Sequence, residues 1–361
     1  MALTARENVG RYKVRPDIVP AHTRHIPIEL VHTDGMPEKE WLKYRRLGIG
    51  GSEVATLMGL SPWATARDLY YDKAGIKPAV VEEENWAAKE IGHALEDLIV
   101  EMFRRSTGLH VEQIKIMYRH PVYPFMQADV DAFVVLDDGR RGILEIKTSS
   151  PNNRAKWQDG AVPYNYELQG RHYMAVMDVD FCFFCCLFLG DYEPVIRLIE
   201  RDMDTEADII AAEEHFWSEN VLARVEPPYT EDGDLVLKSI RKHHGDAQPG
   251  QVPMLLPAAY TAAAQSILDL RKEKSKLDAQ SRELDKTIRK HIGVLADVLG
   301  TNCNGVIVLR DKTYEISYNP SYRQTISAEE LKRMEQNDPD VYGEYVTRTE
   351  TRQMKVTLKG A

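Results

Sequence analysis

Residues 181–189, Phe-Cys-Phe-Phe-Cys-Cys-Leu-Phe-Leu, form an unbroken apolar run. The run is far short of the roughly 20 residues that span a bilayer, so it reads as a β-strand buried on both faces. Such a strand needs a covering layer above and below, which points to an α/β (α+β) chain with a central mixed β-sheet flanked by helices. The neighbouring signals agree. Residues 52–59 predict a short helix with Ser52 as N-cap and Gly59 as terminator. From Trp86 to Arg105, Leu95, Leu98, Ile99, Met102 and Phe103 recur at helical spacing, with Gly108 just beyond. A further helix is predicted from Tyr166 to Met177. Residues 129–136 and 142–148 are strand-like, and Asp137-Asp138-Gly139-Arg140-Arg141 between them is hairpin punctuation.

The chain has 361 residues, a length that suits one large domain with an appendage or two domains. Composition shifts near Glu226 into Pro- and Gly-rich linker material, predicting a core over 1–228 and an extension over 229–361. In the extension, Leu270, Leu277 and Leu284 recur every seven residues, but Lys274 and Ser281 occupy the intervening core positions. A solvated helical hairpin arm therefore fits better than a coiled coil. Strand-like stretches at Gly305–Leu309 and Thr313–Ser317 form a small β extension. Three of the four cysteines, Cys182, Cys185 and Cys186, crowd the apolar run while Cys303 stands apart. That is no secreted disulfide framework, and a reducing cytoplasm is the expected compartment. An iron–sulfur site would need Cys303 as fourth ligand and a loop where the strand is, so buried apolar cysteines are expected. The first residues lack the apolar stretch of a signal peptide, and no membrane role is expected.

The sharpest chemical feature is Asp131 followed by Glu145-Ile146-Lys147. In a strand, Glu145 and Lys147 emerge on one face while Ile146 anchors in the core. A hairpin symmetric about Asp138 sets Asp131 directly across from Glu145. Two opposed carboxylates repel unless a cation lies between them. Oxygen donors favour a hard divalent ion, Mg²⁺ or Mn²⁺, over zinc. Lys147 beside it supplies positive charge or, if desolvation lowers its pKa, a group able to orient or deprotonate an attacking water. Such a site suits phosphodiester hydrolysis. On those three residues alone, an ordinary surface-strand ion pair is the simpler account.

The wider pattern changes that. Trp41, Arg45, the turn Gly48-Ile49-Gly50-Gly51-Ser52-Glu53, Leu60-Ser61-Pro62-Trp63, Gly92-x-x-Leu95-Glu96, His120-Pro121, Ala128-Asp129-Val130-Asp131, Leu144-Glu145-Ile146-Lys147-Thr148, Trp157, Val162-Pro163 and Gln169-x-x-x-Tyr173 occur in order. Over roughly residues 41–225 the chain thus resembles the YqaJ-type viral recombinases, the phage lambda exonuclease-like group of the PD-(D/E)XK nuclease superfamily. The resemblance implies a restriction-endonuclease-like core and a divalent-metal-dependent 5′-to-3′ exonuclease acting on ends of double-stranded DNA. It also implies a single-strand-annealing partner protein, a homotrimer, and a phage or prophage gene product in the bacterial cytoplasm. Carried over residue by residue, it makes Asp131, Glu145 and the Ile146 carbonyl metal ligands for one or two ions. Glu96 becomes the helix-borne acid that holds a water on the metal or a second metal. Lys147 becomes the catalytic lysine, and Gln169 the residue that positions that lysine or the nucleophilic water. Arg45 and Ser52 grip a 5′-terminal phosphate. His93 has the wrong spacing for the histidine of RecB-type relatives, and Tyr173 is expected in core packing. The family's usual Pro-Asp-Gly is Val130-Asp131-Ala132 here, a change in strand bend that keeps the carboxylate.

The net charge, 46 Lys and Arg against 56 Asp and Glu, is −10, which argues against indiscriminate phosphate binding. Local basic residues, Lys43, Arg45, Arg46, Lys147, Arg154 and Lys156, are the candidates for DNA contact. The same core also fits an endonuclease of a defence or processing system, or a DNA-binding protein with a vestigial site.

Overall fold

The apolar run folds into a strand, Phe181–Phe188, in which every residue but Phe183 is buried. In the computed structural model, residues 24–80, 86–245 and 250–347 are described, apart from 251, 311 and 324. The N-terminal residues read for a signal peptide, and most of the linker stretch after Gly245, lie outside them. The chain divides into two units, 1–246 and 247–361.

The strands of the first unit are β1 (Ile28–His32), β2 (Ile49–Gly50), β3 (His110–Glu112), β4 (Ile116–Arg119), β5 (Met126–Asp129), β6 (Ala132–Val135), β7 (Arg141–Ser149), β8 (Phe181–Phe188) and β9 (Val195–Glu200). Its helices are α1 (Glu38–Arg45), α2 (Gly51–Leu57), α3 (Ala66–Lys73), α4 (Trp86–Thr107), α5 (Tyr164–Met177), α6 (Met203–His215) and α7 (Gly233–His244). The sheet is divided in two: a four-stranded sheet in the order β1-β4-β5-β2 and a five-stranded one in the order β3-β6-β7-β8-β9. Both are mixed, with β2–β5 and β7–β8 parallel and the other pairs antiparallel. The expected mixed α/β architecture is present.

Alternation along β8 explains its composition. Cys182, Phe184, Cys186 and Phe188 join a core cluster with Leu168 and Met174 of α5, while Phe181, Cys185 and Leu187 join a second with Ile99, Val100 and Phe103 of α4. Both faces are thus covered by helices. The three cysteines are free and buried there, and burial pushes the thiols of Cys185 and Cys186 up to about 12.

The β6–β7 hairpin has the expected register about Asp138, with Ala132 opposite Leu144 and Val135 opposite Arg141. The run 129–136 is not one strand, however. It breaks at Val130–Asp131, leaving β5 in the four-stranded sheet and β6 in the five-stranded one. Two further expectations are corrected here. The N-cap of α2 is Gly50, whose extended backbone (φ −91°, ψ 158°) leads into Gly51, so Ser52 lies inside the first turn. The boundary at 228/229 falls too early, because α7 is tied into the first unit: His243 Nε2 lies 2.8 Å from Asp68 Oδ1, and Thr65 Oγ1 donates to Ser239 Oγ at 3.2 Å.

The second unit contains one uninterrupted helix, α8 (Thr261–Leu299), where a helical hairpin was expected, and α8 has no buried residue. An antiparallel pair follows, β10 (Asn304–Leu309) and β11 (Lys312–Ser317), then α9 (Ala328–Asn337) and α10 (Pro339–Tyr345).

Candidate active site

The first unit contains a cavity of about 710 Å³ whose lining includes Trp41, Arg45, Ser52, Glu96, Asp131, Glu145 and Gln169. Seven residues spread over 129 positions therefore converge on one surface.

At one end lie Asp131 and Glu145. Asp131 occupies the break between β5 and β6, where its Oδ2 accepts a 2.7 Å hydrogen bond from the Ile146 backbone N–H. Glu145, on β7 and 2% exposed, accepts from Lys147 Nζ and from Gln169 Nε2, both at 2.5 Å and both on Oε1. Its Oε2 is buried without any partner. Burial raises the pKa of both carboxyls, Asp131 the further because Glu145 adds like charge. The opposed pair is thus incompletely neutralised, and a buried carboxylate oxygen lacks a donor. That is the environment a hard cation completes, and oxygen donors suit Mg²⁺ or Mn²⁺. Among the described residues no three His, Cys, Asp or Glu side chains converge as a ready cage. Two carboxylates, the Ile146 carbonyl and waters could serve as donors to such an ion, since Mg²⁺ keeps several waters.

Burial works against the charge of Lys147, but Glu145 and Asp131 outweigh that and hold its pKa above the ordinary lysine value. Its Nζ lies 5.0 Å above the Tyr166 ring. Gln169 donates to the same oxygen of Glu145 that Lys147 does. Glu96, on α4, is paired with Lys115, a residue to which the sequence reading gave no role. Burial opposes the charge of Lys115, yet Glu96 and then Asp131 and Asp129 hold its pKa up.

At the other end lies the arginine cluster. Arg45 Nε donates to Glu53 Oε1 at 3.0 Å and its Nη2 to Ser52 Oγ at 2.7 Å, with the guanidinium 5.0 Å over the Trp41 ring. Lys73 Nζ lies 2.8 Å from Glu53 Oε2. Burial alone would raise the Glu53 carboxyl, but Arg45 and Lys73 hold it below its ordinary value. Two cations thus share one carboxylate. Ser52 accepts from Arg45, which leaves its hydroxyl proton free to donate. Trp41 Nε1 donates to Asp129 Oδ2 at 2.7 Å, linking the two ends.

Close packing of α2 on α5 brings the ends together. Gly51 permits it, since a Cβ there would stand 2.6 Å from the Tyr173 ring. Tyr173 is buried as expected, yet it also lines the cavity, and Gln169 Nε2 donates to its hydroxyl at 3.4 Å. His93 is exposed and lines the cavity. Lys43, Arg46, Lys147, Arg154 and Lys156 do not. Arg46 instead pairs with Asp72 at 2.9 Å and Arg154 with Asp191 at 2.6 Å. For Gln127, to which the sequence assigned no role, the signal was period two: Gln127 and Asp129 lead to Asp131 in alternation with buried Met126, Ala128 and Val130.

Fold and site together define a mixed α/β domain with a paired-carboxylate and lysine hairpin beside an arginine cluster. Residues 40–180 match the family model of the YqaJ-like viral recombinase domain. The chain is 30% identical over 318 residues to a Bacillus subtilis (strain 168) protein called uncharacterized protein YqaJ, covering 87% of this chain and 92% of that one. The protein belongs to the YqaJ-like viral recombinase family. Among solved structures, LHK-Exo in complex with dAMP is 24% identical with a TM-score of 0.43, covering 52% of this chain and 94% of that one. An alkaline exonuclease (LHK-Exo) from Laribacter hongkongensis is 22% identical with a TM-score of 0.43, covering 56% and 98%. Among the described residues no helix is long and apolar enough to cross a membrane.

Proposed function

We propose that this protein is a divalent-metal-dependent nuclease, an exonuclease that digests one strand of linear double-stranded DNA from its 5′ end. The observation that carries the reading is one cavity lined by Asp131 and Glu145, two carboxylates beside one lysine, and by Arg45, which with Lys73 shares one carboxylate. Asp131, Glu145 and the Ile146 carbonyl would hold Mg²⁺ or Mn²⁺, with Glu96 able to serve a second ion, and a bound ion would neutralise phosphate charge and acidify water. The chain's own groups do the rest. Gln169 and Lys147 pin Oε1 of Glu145 and so fix the direction of Oε2. The Lys147 ammonium offers charge to the scissile phosphate as negative charge develops on it. Arg45 and Ser52 donate to a terminal phosphate, with the guanidinium orientation already set by Glu53. Family membership supports a place in phage-type recombination. The proposal extends to a single-strand-annealing partner, a homotrimer and a bacterial cytoplasmic setting.

The test is nuclease activity with Mg²⁺ on linear 5′-phosphorylated duplex and on closed circular DNA, for the wild type, Lys147→Ala and Glu145→Gln. Cleavage confined to linear DNA and lost in both variants is expected. Activity surviving in both overturns the site, and cleavage of circular DNA favours an endonuclease.

A further inference from the structure

Gln127 lines the cavity, is 3% exposed, and has no hydrogen-bond partner on either Nε2 or Oε1. Buried carboxamides are almost always satisfied, so this one points to a missing partner. Three features hold it in place. Its neighbours Met126 and Ala128 belong to the core, so strand alternation turns Gln127 toward the cavity. Gly48 makes room for it, since a Cβ there would stand 2.8 Å from both Cγ and Cδ of Gln127. Its carbonyl accepts a 2.8 Å hydrogen bond from His172 Nε2, while His172 Nδ1 meets Glu213 Oε1 at 2.6 Å. The backbone is clamped and the amide is left open. In register, Gln127 is the partner of Gly50, next to the turn that carries Ser52. Along its own strand it leads to Asp129 and Asp131. It therefore lies between the arginine cluster and the paired carboxylates.

We propose that Gln127 reads the base of the 5′-terminal nucleotide. This rests on the exonuclease reading above, in which the terminal phosphate sits at Arg45 and the scissile phosphate at Asp131 and Glu145. What lies between two phosphates is a nucleoside. A carboxamide presents a donor and an acceptor side by side. Phosphate oxygens and the deoxyribose ring oxygen only accept, so within a DNA strand only a base edge supplies the donor that Oε1 needs. In a paired terminus adenine fits best, because its N6 donor and N7 acceptor are adjacent on the major-groove edge.

The experiment measures kcat/KM on 5′-phosphorylated duplexes that differ only in the terminal base pair. The wild type is expected to favour terminal adenine by about tenfold over the poorest end, the discrimination of one bidentate contact. Gln127→Met, similar in volume, compresses that spread. Gln127→Glu keeps the shape but only accepts, and shifts preference toward terminal cytosine, whose N4 donates. Thermal melting of both variants identifies a folding defect, and the preference shift in Gln127→Glu decides the matter if Gln127→Met fails to fold. A flat wild-type profile, or variants that keep the wild-type profile, overturns the role of Gln127. No cleavage of linear duplex by the wild type overturns the exonuclease reading instead.

Discussion

Two buried ion clusters reach one cavity, the first through Arg45 and the second through Asp131 and Glu145, and differ in stoichiometry more than in kind. Around Glu53, Arg45 and Lys73 share one carboxylate. Beside Lys147, Asp131 and Glu145 share one ammonium. The first is left with surplus positive charge and the second with surplus negative charge. Burial penalises uncompensated charge, so the proposed function gives each cluster a ligand of opposite sign: an anion at Arg45, a cation at Glu145. The lesson is that the sign of a binding site lies in the count of partners, not in the presence of a particular residue.

The comparison breaks most visibly at the carboxylate end. Glu145→Gln is expected to lower turnover on the order of 10³-fold, the scale of losing a main electrostatic contributor. The same change removes a carboxyl whose pKa burial has raised, so the melting temperature in EDTA is expected to rise. Arg45→Ala should slow cleavage of 5′-phosphorylated ends by about 10- to 100-fold, the worth of a charge-assisted hydrogen bond. It should leave 5′-hydroxyl ends nearly unaffected, and the ratio of the two rates checks this. Lys73→Met sharpens the comparison, because it makes the Glu53 cluster neutral without touching the cavity wall. KM for phosphorylated ends should rise by about tenfold at constant kcat.

The smallest effect is one of pH. His120 Nδ1 accepts from the Val122 and Tyr123 backbone N–H groups at 3.1 and 3.0 Å. Burial, with His25 and His172 nearby, pushes its pKa down to about 3. The unfolded chain therefore binds the proton first, and stability falls as pH drops below about 6.5, the ordinary histidine value. Between pH 6.5 and 5 the loss is about 2 kcal/mol. Glu206, pushed up to about 7 by burial, titrates in the opposite sense over this range. The measure is thus the difference in unfolding free energy between wild type and His120→Asn, whose Oδ1 can replace Nδ1 but does not titrate. A pH-independent difference would remove His120 from this role.

Much of this architecture is legible in the sequence because the signals are local. β8 announces itself by nine apolar residues in a row, and the hairpin register follows from a five-residue turn centred on Asp138. The break at Val130–Asp131 is not legible, since period-two alternation runs unbroken through it and only the sheet partners change. Asp131, Glu145 and Lys147 could be found because charge on a strand face is conspicuous. Lys115 and Lys73 could not, because each acts only through a carboxylate brought to it by folding. The raised pKa of Lys147 is of the same kind: burial could be foreseen, but the weight of two carboxylates against it could not. The helical hairpin arm failed for a different reason. The polar α8 holds no residue that would force a turn, and it continues through 39 residues.

The break between β5 and β6 has one more consequence. The strand leading from the Gln127 and Gly50 register belongs to one sheet, and Glu145 belongs to the other. The chain crosses between them in Val130 and Asp131 alone, at about 3.8 Å per Cα step. Covalent geometry therefore fixes how far Asp131 stands from Gln127, while the packing of α2 on α5 sets the arginine end against both. One residue inserted between Val130 and Ala132 would carry Asp131 out of its hydrogen bond to the Ile146 N–H and part it from Glu145, so the crossing acts as a fixed spacer that tolerates no change of length.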